Sequence, residues 1–333
     1  MSTAQRVKIV AEAAQGFEGD ARLARLLVKA AKVGGADIVK FQLVFADELA
    51  TRDYPYYGLF KGLEMPASAW QAVADDAAAA GLGLAFDVFG EGSLDLALRL
   101  GAAGVKLHAS DFFNSALVDA VFARAPHIYL SLGGIDYADV TTLVARHPVD
   151  VGRLTLMFGF QGEPTSIDQN HISRLAAVRQ AFPGAGLGFM DHSDGSADEA
   201  GWLGVLPLAF GVSVVEKHIT VDRALELEDF VSALDPTAFA RYVARLRTAE
   251  RALGSPVMEL SAPEREYGQR AVKAIVASRN ISAAATITTA DVIALRAPVP
   301  EGRTVLRQIE GAVGRTAVGA IAAGQPICVE DLR

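Results

Sequence analysis

Gly83-Leu-Ala-Phe-Asp-Val-Phe-Gly-Glu-Gly-Ser-Leu-Asp-Leu-Ala-Leu-Arg-Leu-Gly-Ala-Ala-Gly-Val-Lys-Leu107 reads as one strand–helix–strand unit. Gly83–Asp87 and Val105–Leu107 are short apolar runs, and Ser93–Leu100 between them is an amphipathic, Ala/Leu-rich helical run. The alternation continues in both directions. Upstream, Val7–Ala11 and Asp37–Phe41 read as strands, with helices over Ala21–Val33 and Ser68–Ala80. Downstream, strands are expected at Ile128–Ser131, Leu154–Phe158, Gly186–Met190 and Val212–Glu216. Helices are expected at Ser115–Ala123, Tyr137–Arg146, Asp168–Phe182, Ser196–Phe210 and Pro236–Leu253. Continuous apolar strands alternating with helices indicate parallel strands covered by helices. Eight such units in roughly 250 residues fit a closed (β/α)8 TIM barrel. An open doubly wound sheet is the alternative, but the glycine-rich phosphate fingerprint after the first strand is absent.

Composition narrows the function. The chain has 333 residues, 51% hydrophobic and 21% charged, so it can build a large core and is not disordered. Its net charge of −8 lacks the basic field of a nucleic-acid binder. No apolar run of about 18 residues is present to span a membrane. Cys328 is the single cysteine, which excludes an internal disulfide and favours the reducing cytosol. Residues 1–14 lack the apolar stretch of a signal peptide, so a cytoplasmic location is expected.

The pattern changes after Leu253. The barrel is expected over residues 1–255, a polar linker over 256–270 and a small β-rich domain over 271–333. The small domain carries a near-repeat. Ile281-Ser-Ala-Ala-Ala-Thr-Ile-Thr-Thr-Ala-Asp-Val292 aligns with Ile321-Ala-Ala-Gly-Gln-Pro-Ile-Cys-Val-Glu-Asp-Leu332 at an offset of 40. Two equivalent β-hairpin units are expected.

Chemistry in such barrels sits at the C-terminal ends of the strands. Those positions hold Glu12, Lys40, Gln42, Asp87, Lys106, His108, Ser131, Asp191, His192, Glu216, Lys217 and His218, with Ser110, Asp111 and Gln161 just beyond. Charge in a strand buried on both faces is costly unless it is paired or lines a site. Lys40 and Lys106 are ion-paired groups or anion binders. His192 and His218 end neighbouring strands, and either converge on a divalent metal with open positions or are satisfied loop histidines. Asp191 and Glu216 are candidates to orient those rings. Glu12 is a base, a sugar-hydroxyl acceptor or a lysine's partner. Trp70 and Trp202 read as core. Lysines beside an open metal suit a phosphate-bearing substrate and a carbonyl partner; a Schiff-base lysine aldolase is the competing chemistry.

The chain resembles the bacterial N-acetylneuraminate (sialic acid) synthase family of phosphoenolpyruvate-dependent nonulosonic acid synthases. The carrying segments are Ala11–Asp20 (AEAAQGFEGD), Gly35–Gln42 (GADIVKFQ), Val105–Asp111 (VKLHASD), Leu130–Gly133 (LSLG), Gly188–His192 (GFMDH), Val215–Thr220 (VEKHIT) and Asp229–Ser232 (DFVS). The last 60 residues look like that family's antifreeze-like SAF domain. The resemblance implies manganese or magnesium held by His192 and His218, and phosphoenolpyruvate bound by Lys40, Lys106 and Ser131. It implies attack on the aldehyde of an N-acetylmannosamine-like sugar. Glu12 and Asp229 match acidic residues that contact the sugar or shuttle protons, and Glu216 one that handles water. Gln161 stands where the family has Asn. Arg296, in Ala294-Leu-Arg-Ala-Pro298, matches the SAF arginine that reaches the sugar's acylamino group from the other subunit of a domain-swapped homodimer. The chain departs from the family at Asp87, where a threonine phosphate contact is usual, and at Met190, where Ser is usual; His108, Ser110 or Ser193 are possible replacements. Residues 282–286 lack the family's glycine turn.

Overall fold

The computed structural model describes residues 6–148 and 152–333 and divides into two units, Met1–Ser255 and Pro256–Arg333. The first is a closed parallel barrel of eight strands. These are β1 (Lys8–Ala14), β2 (Ile38–Gln42), β3 (Gly83–Val88), β4 (Gly104–Leu107), β5 (Ile128–Ser131), β6 (Leu154–Phe158), β7 (Gly186–Asp191) and β8 (Val214–His218). β1 pairs with both β2 and β8, so no edge is left open. Side chains alternate along a strand, and that period sorts the barrel. Val10, Ile38, Ala85, Tyr129, Met157, Met190 and Val214 form one buried inner cluster. Met190 therefore belongs to an apolar layer. Two residues further along the strands, facing the same way, stand Glu12, Lys40, Asp87, Ser131, His192 and Glu216.

The helices cover the outside. Pro236–Leu253 starts cleanly because the Asp235 side chain accepts from Ala238 N (2.8 Å) and Pro236 sits in the first turn. It packs on Ala21–Gly34, where Gly34 leaves room for a ring: a Cβ there would lie 2.8 Å from Phe239. Trp70 is buried among Phe17, Phe41 and Phe86, all in edge-on contact with it.

Three local expectations change. Residues 196–210 form short 3-10 turns, Asp198–Gly201 and Leu203–Phe210, in place of a helix. Pro207 removes a donor, and Gly204 lies so close to Tyr242 that a Cβ would fall 1.9 Å from its hydroxyl. Trp202, at the break between these turns, is 40% exposed and is not core. Only Arg174–Ala181 of residues 168–182 is α-helical; ahead of it, the Asn170 amide donates to the carbonyls of Ser166 (3.0 Å) and Ile167 (3.2 Å) and holds a loop.

In the second unit, the stretch expected as a linker contains a helix, Ala262–Ala271. A reciprocal cap between Ser261 and Glu264 starts it. β9 (Ala274–Ala277) pairs antiparallel with β10 (Val292–Leu295). The repeat is real, but its copies are not hairpins. They pair with each other: Ile281 and Ile321 exchange two backbone hydrogen bonds, both 2.9 Å. Each copy ends in a one-turn 3-10 helix whose aspartate, Asp291 or Asp331, accepts from the backbone N of Thr288 (2.8 Å) or Cys328 (2.9 Å). Among the described residues, no helix is long and apolar enough to cross a membrane.

Candidate active site

The charged layer is a closed network. Lys40 and Lys106 are 1% and 2% exposed, and Glu12, Asp87 and Glu216 no more than 3%. Lys40 Nζ pairs with Glu12, with Asp87 Oδ1 at 2.7 Å and with Glu216 Oε2 at 3.7 Å. Lys106 Nζ donates to Glu216 Oε1 at 2.7 Å and lies 3.8 Å from Asp87 Oδ2. Strand register builds this, since Glu12 stands beside Lys40 and Asp87 beside Lys106 on paired strands. Burial pushes Lys40 down, against the pull of Asp87 and Glu216. Burial also opposes the charge on Lys106, but Asp87 and Glu216 together overrule it and raise its pKa. Burial alone would lift Glu216; the two ammonium groups instead hold its carboxyl at about 2. Lys106 and Glu216 therefore support each other's charged forms in a buried setting.

Beside this layer, the rings of His192 and His218 meet edge-on, centroids 5.0 Å apart at 66°. Glu163 joins them: one ligand atom from each of Glu163, His192 and His218 lies within 4.8 Å of the others. Burial, reinforced by the nearby Lys106 ammonium, lowers His192 to about 4. Burial and His192 lower His218 well below its ordinary value. Both imidazoles are thus neutral and offer lone pairs. His192 Nδ1 is buried with no hydrogen-bond partner among the described residues, which is costly unless a ligand fills it. Two neutral imidazoles and a carboxylate are a donor set suited to a divalent cation. Partial burial pushes the Glu163 carboxyl up to about 7, although Ser232 Oγ donates to it at 2.7 Å; the same hydroxyl reaches the His192 carbonyl at 2.9 Å.

A second chain of polar groups borders the charged layer. The Ser131 hydroxyl, fully buried, donates to Gln161 Oε1 (3.2 Å), and Gln161 Nε2 lies 3.3 Å from His108 Nε2. His108 Nδ1 lies 3.1 Å from the hydroxyl of exposed Ser110, which donates to Asp111 (2.8 Å). A cavity of about 460 Å³ is lined by Leu132–Tyr137, Phe158–Phe160 and 169–171 with Arg174. On the other side, Asp229 Oδ2 accepts from Gln15 N (3.3 Å), and the Gln15 amide donates to Gln42 (2.7 Å). Burial raises the Asp229 carboxyl.

The structure thus gathers Glu12, Lys40, Lys106 and Glu216 in one network, sets His192 and His218 side by side, and links Ser131, Gln161 and Ser110 through His108. Arg296 lies in the second unit, where its Nε donates to the Ala271 carbonyl at 3.3 Å. Asp191 does not orient His192. It points out of the barrel, as strand alternation requires, to Lys217 Nζ (3.1 Å) and the Tyr242 hydroxyl (3.2 Å). Ser193 joins that outer cluster, its hydroxyl donating to Asp191 (2.6 Å). Glu216 is engaged by Lys106, not by either ring. Glu163 escapes a reading of strand ends because it sits in the loop after β6; its signal is its place two residues beyond Gln161.

Comparison with known proteins places these features in a lineage. A model of the NeuB family matches residues 27–258, and one of the SAF domain residues 272–333. N,N'-diacetyllegionaminic acid synthase of Legionella pneumophila is 26% identical, over 86% of this chain and 85% of that protein. N-acetylneuraminate-9-phosphate synthase of Mus musculus is 25% identical, over 88% and 84%. The crystal structure of a putative spore coat polysaccharide biosynthesis protein E from Chromobacterium violaceum superposes with a TM-score of 0.82 at 22% identity, covering 98% of this chain and all (100%) of that one.

Proposed function

The chain belongs to the NeuB family, and on that premise we propose that it is a carbon–carbon bond-forming synthase. It joins phosphoenolpyruvate to an N-acetylmannosamine-like aldose, giving a nonulosonic acid and phosphate. The observation that carries this reading is the buried pair Lys40 and Lys106 beside two neutral imidazoles with an orphaned ring nitrogen. The Legionella and mouse relatives, a diacetyllegionaminic acid synthase and an N-acetylneuraminate-9-phosphate synthase, support the product class.

In this reading Lys40, Lys106 and the Ser131 hydroxyl bind the donor. His192, His218 and Glu163 would hold manganese or magnesium. Held there, the cation supplies Lewis-acid polarisation of the acceptor aldehyde. Carbon 3 of the donor attacks that aldehyde carbon, and Asp229, protonated more readily than an ordinary aspartate, gives its proton to the resulting oxygen. Glu216, held ionised by Lys106, takes a proton from the water that adds at donor carbon 2. The tetrahedral centre then expels phosphate by carbon–oxygen cleavage and leaves the keto group. Glu12 positions Lys40, and Gln161 orients Ser131. Arg296, supplied by a second copy of the chain, is the proposed contact to the acylamino group. A Schiff-base aldolase is the second reading, favoured by the lowered pKa of Lys40.

The test is phosphate release from phosphoenolpyruvate with manganese across N-acetylmannosamine, its 6-phosphate and diacetamido-hexoses, read with product mass. A 2-keto acid nine carbons long along its backbone is expected. Silence on every acceptor, or covalent trapping of pyruvate on Lys40 by borohydride, refutes the reading. Sedimentation of the intact chain tests for the second copy.

A further inference from the structure

We infer that Asp87 is an internal anion occupying the seat between Lys40 and Lys106, and that it sets the affinity of the site for its anionic donor. The inference rests on the donor reading above. One carboxylate presents Oδ1 to Lys40 at 2.7 Å and Oδ2 towards Lys106 at 3.8 Å. That is how an incoming phosphate would bridge the same two ammonium groups.

The other two acids have further duties. Glu12 Oε1 accepts from Ala14 N at 2.7 Å, and Glu216 is the closest partner of Lys106 at 2.7 Å. Among the described residues, the Asp87 carboxylate has no hydrogen-bond donor besides Lys40. Its backbone is fixed by pairing to Gln42 and Lys106 on both neighbouring strands, and its side chain is short, so its carboxylate stays close to the layer. The network sets two lysines against three acidic residues, an excess of one acid. A phosphate dianion must enter against that excess, and without Asp87 the count is balanced. Like charges this close repel strongly where water is excluded. Asp87 therefore neutralises the lysines while the site is empty of donor and competes with the donor when it arrives. It is a specificity-determining residue.

The experiment titrates inorganic phosphate, by calorimetry at pH 7.5 and fixed salt, into the intact chain and into Asp87→Asn, Asp87→Thr and Asp87→Glu. Asp87→Asn and Asp87→Thr are expected to bind phosphate at least tenfold more tightly than the unmodified chain. Asp87→Glu, which keeps the charge, is expected to show no gain. With a turnover substrate, KM for phosphoenolpyruvate falls by a similar factor and kcat does not rise, because the phosphate charge is present in ground and transition states alike. Equal or weaker phosphate binding in whichever of the Asn and Thr variants folds overturns the inference, as does equal tightening in Asp87→Glu. Failure of the donor reading is a separate result: the unmodified chain then releases no phosphate with any acceptor, while the phosphate titration still decides the role of Asp87.

Discussion

Replacing Lys106 with methionine tests whether the barrel's inner charges act as one unit. Methionine matches the lysine stem in length and keeps the packing, so the change removes little but charge. The lost contacts are Glu216 at 2.7 Å and Asp87 at 3.8 Å. At an effective dielectric of about 20, Coulomb's law gives roughly 6 and 4 kcal/mol for these two attractions. Those gross values are offset by the desolvation that Lys106 no longer suffers. Glu216 also has an escape: burial favours its neutral form, so it takes up a proton once the nearest cation is gone. The net loss is expected near 3–5 kcal/mol, the usual cost of stranding one partner of a buried pair. At about 2–4 °C per kcal/mol for a unit of this size, the melting temperature falls by roughly 6–20 °C. Adding Glu216→Gln removes the stranded carboxylate, and the double variant is expected to recover more than half of the loss. Thermal melts of the four members of this cycle measure it. A single-variant loss below about 1 kcal/mol, or a double variant whose loss equals the sum of the singles, refutes the idea of a coupled network.

Three further outcomes are expected. Manganese at about 100 times its Kd should stabilise the intact chain by about 2.7 kcal/mol; His192→Ala and His218→Ala each abolish that shift, and Glu163→Gln weakens manganese binding by roughly 10–100-fold, as titration calorimetry would register. A Glu163→Gln protein that binds manganese normally removes Glu163 from the ligand set. Ala284 has φ of +63°, at the repeat position where Gly324 has +83°, so Ala284→Gly should raise stability by about 0.5–1 kcal/mol, and a lower melting temperature contradicts the strain. Asp291 is held down to about 2 from 3.8, chiefly by the Thr288 hydroxyl and backbone N–H. A depressed carboxyl stabilises above its unfolded pKa and loses that contribution as pH falls through its folded value. The melting-temperature gap between the unmodified chain and Asp291→Asn is therefore constant above about pH 4 and closes towards about pH 2; a gap of the same size at both ends refutes the assignment.

The barrel and the inward-facing charges of the candidate site are legible because one period carries both. A parallel strand buried on both faces is apolar throughout, so a charge inside it stands out against its surroundings. Lys40, Lys106 and Glu216 stand out as site candidates for that reason. The same period, applied one residue further, separates Glu216 and His218, which face inward, from Asp191 and Lys217, which face the Pro236–Leu253 helix. Strand ends read without it pair Asp191 with the histidines, whereas its carboxylate meets Lys217 and Tyr242. Residues on loops carry no period. Glu163, and the Gln15–Asp229 contact across 214 positions of chain, depend on where two loops return over the barrel, and a single sequence does not encode that locally. The break in residues 196–210 is different: Gly201, Gly204 and Pro207 were visible, and their combined effect outweighed a strongly apolar composition.

The repeat in the second unit shows why similarity of sequence does not fix the partner of a strand. Ile281 and Ile321 head equivalent copies, so each is a candidate to close a turn within its own copy or to pair with its twin. Each copy spends its aspartate capping its own 3-10 turn, Asp291 on Thr288 and Asp331 on Cys328. That local cap satisfies the backbone N–H that opens each turn. The N–H and C=O groups of the two isoleucines pair with each other across the copies. Pairing between copies follows from satisfying those groups, and it buries Ile281, Ile287, Ile321 and Ile327 in one cluster. Substituting Asp291 should loosen its own 3-10 turn and leave the Ile281–Ile321 pairing in place, because the capped N–H belongs to Thr288 and the paired groups to the isoleucines.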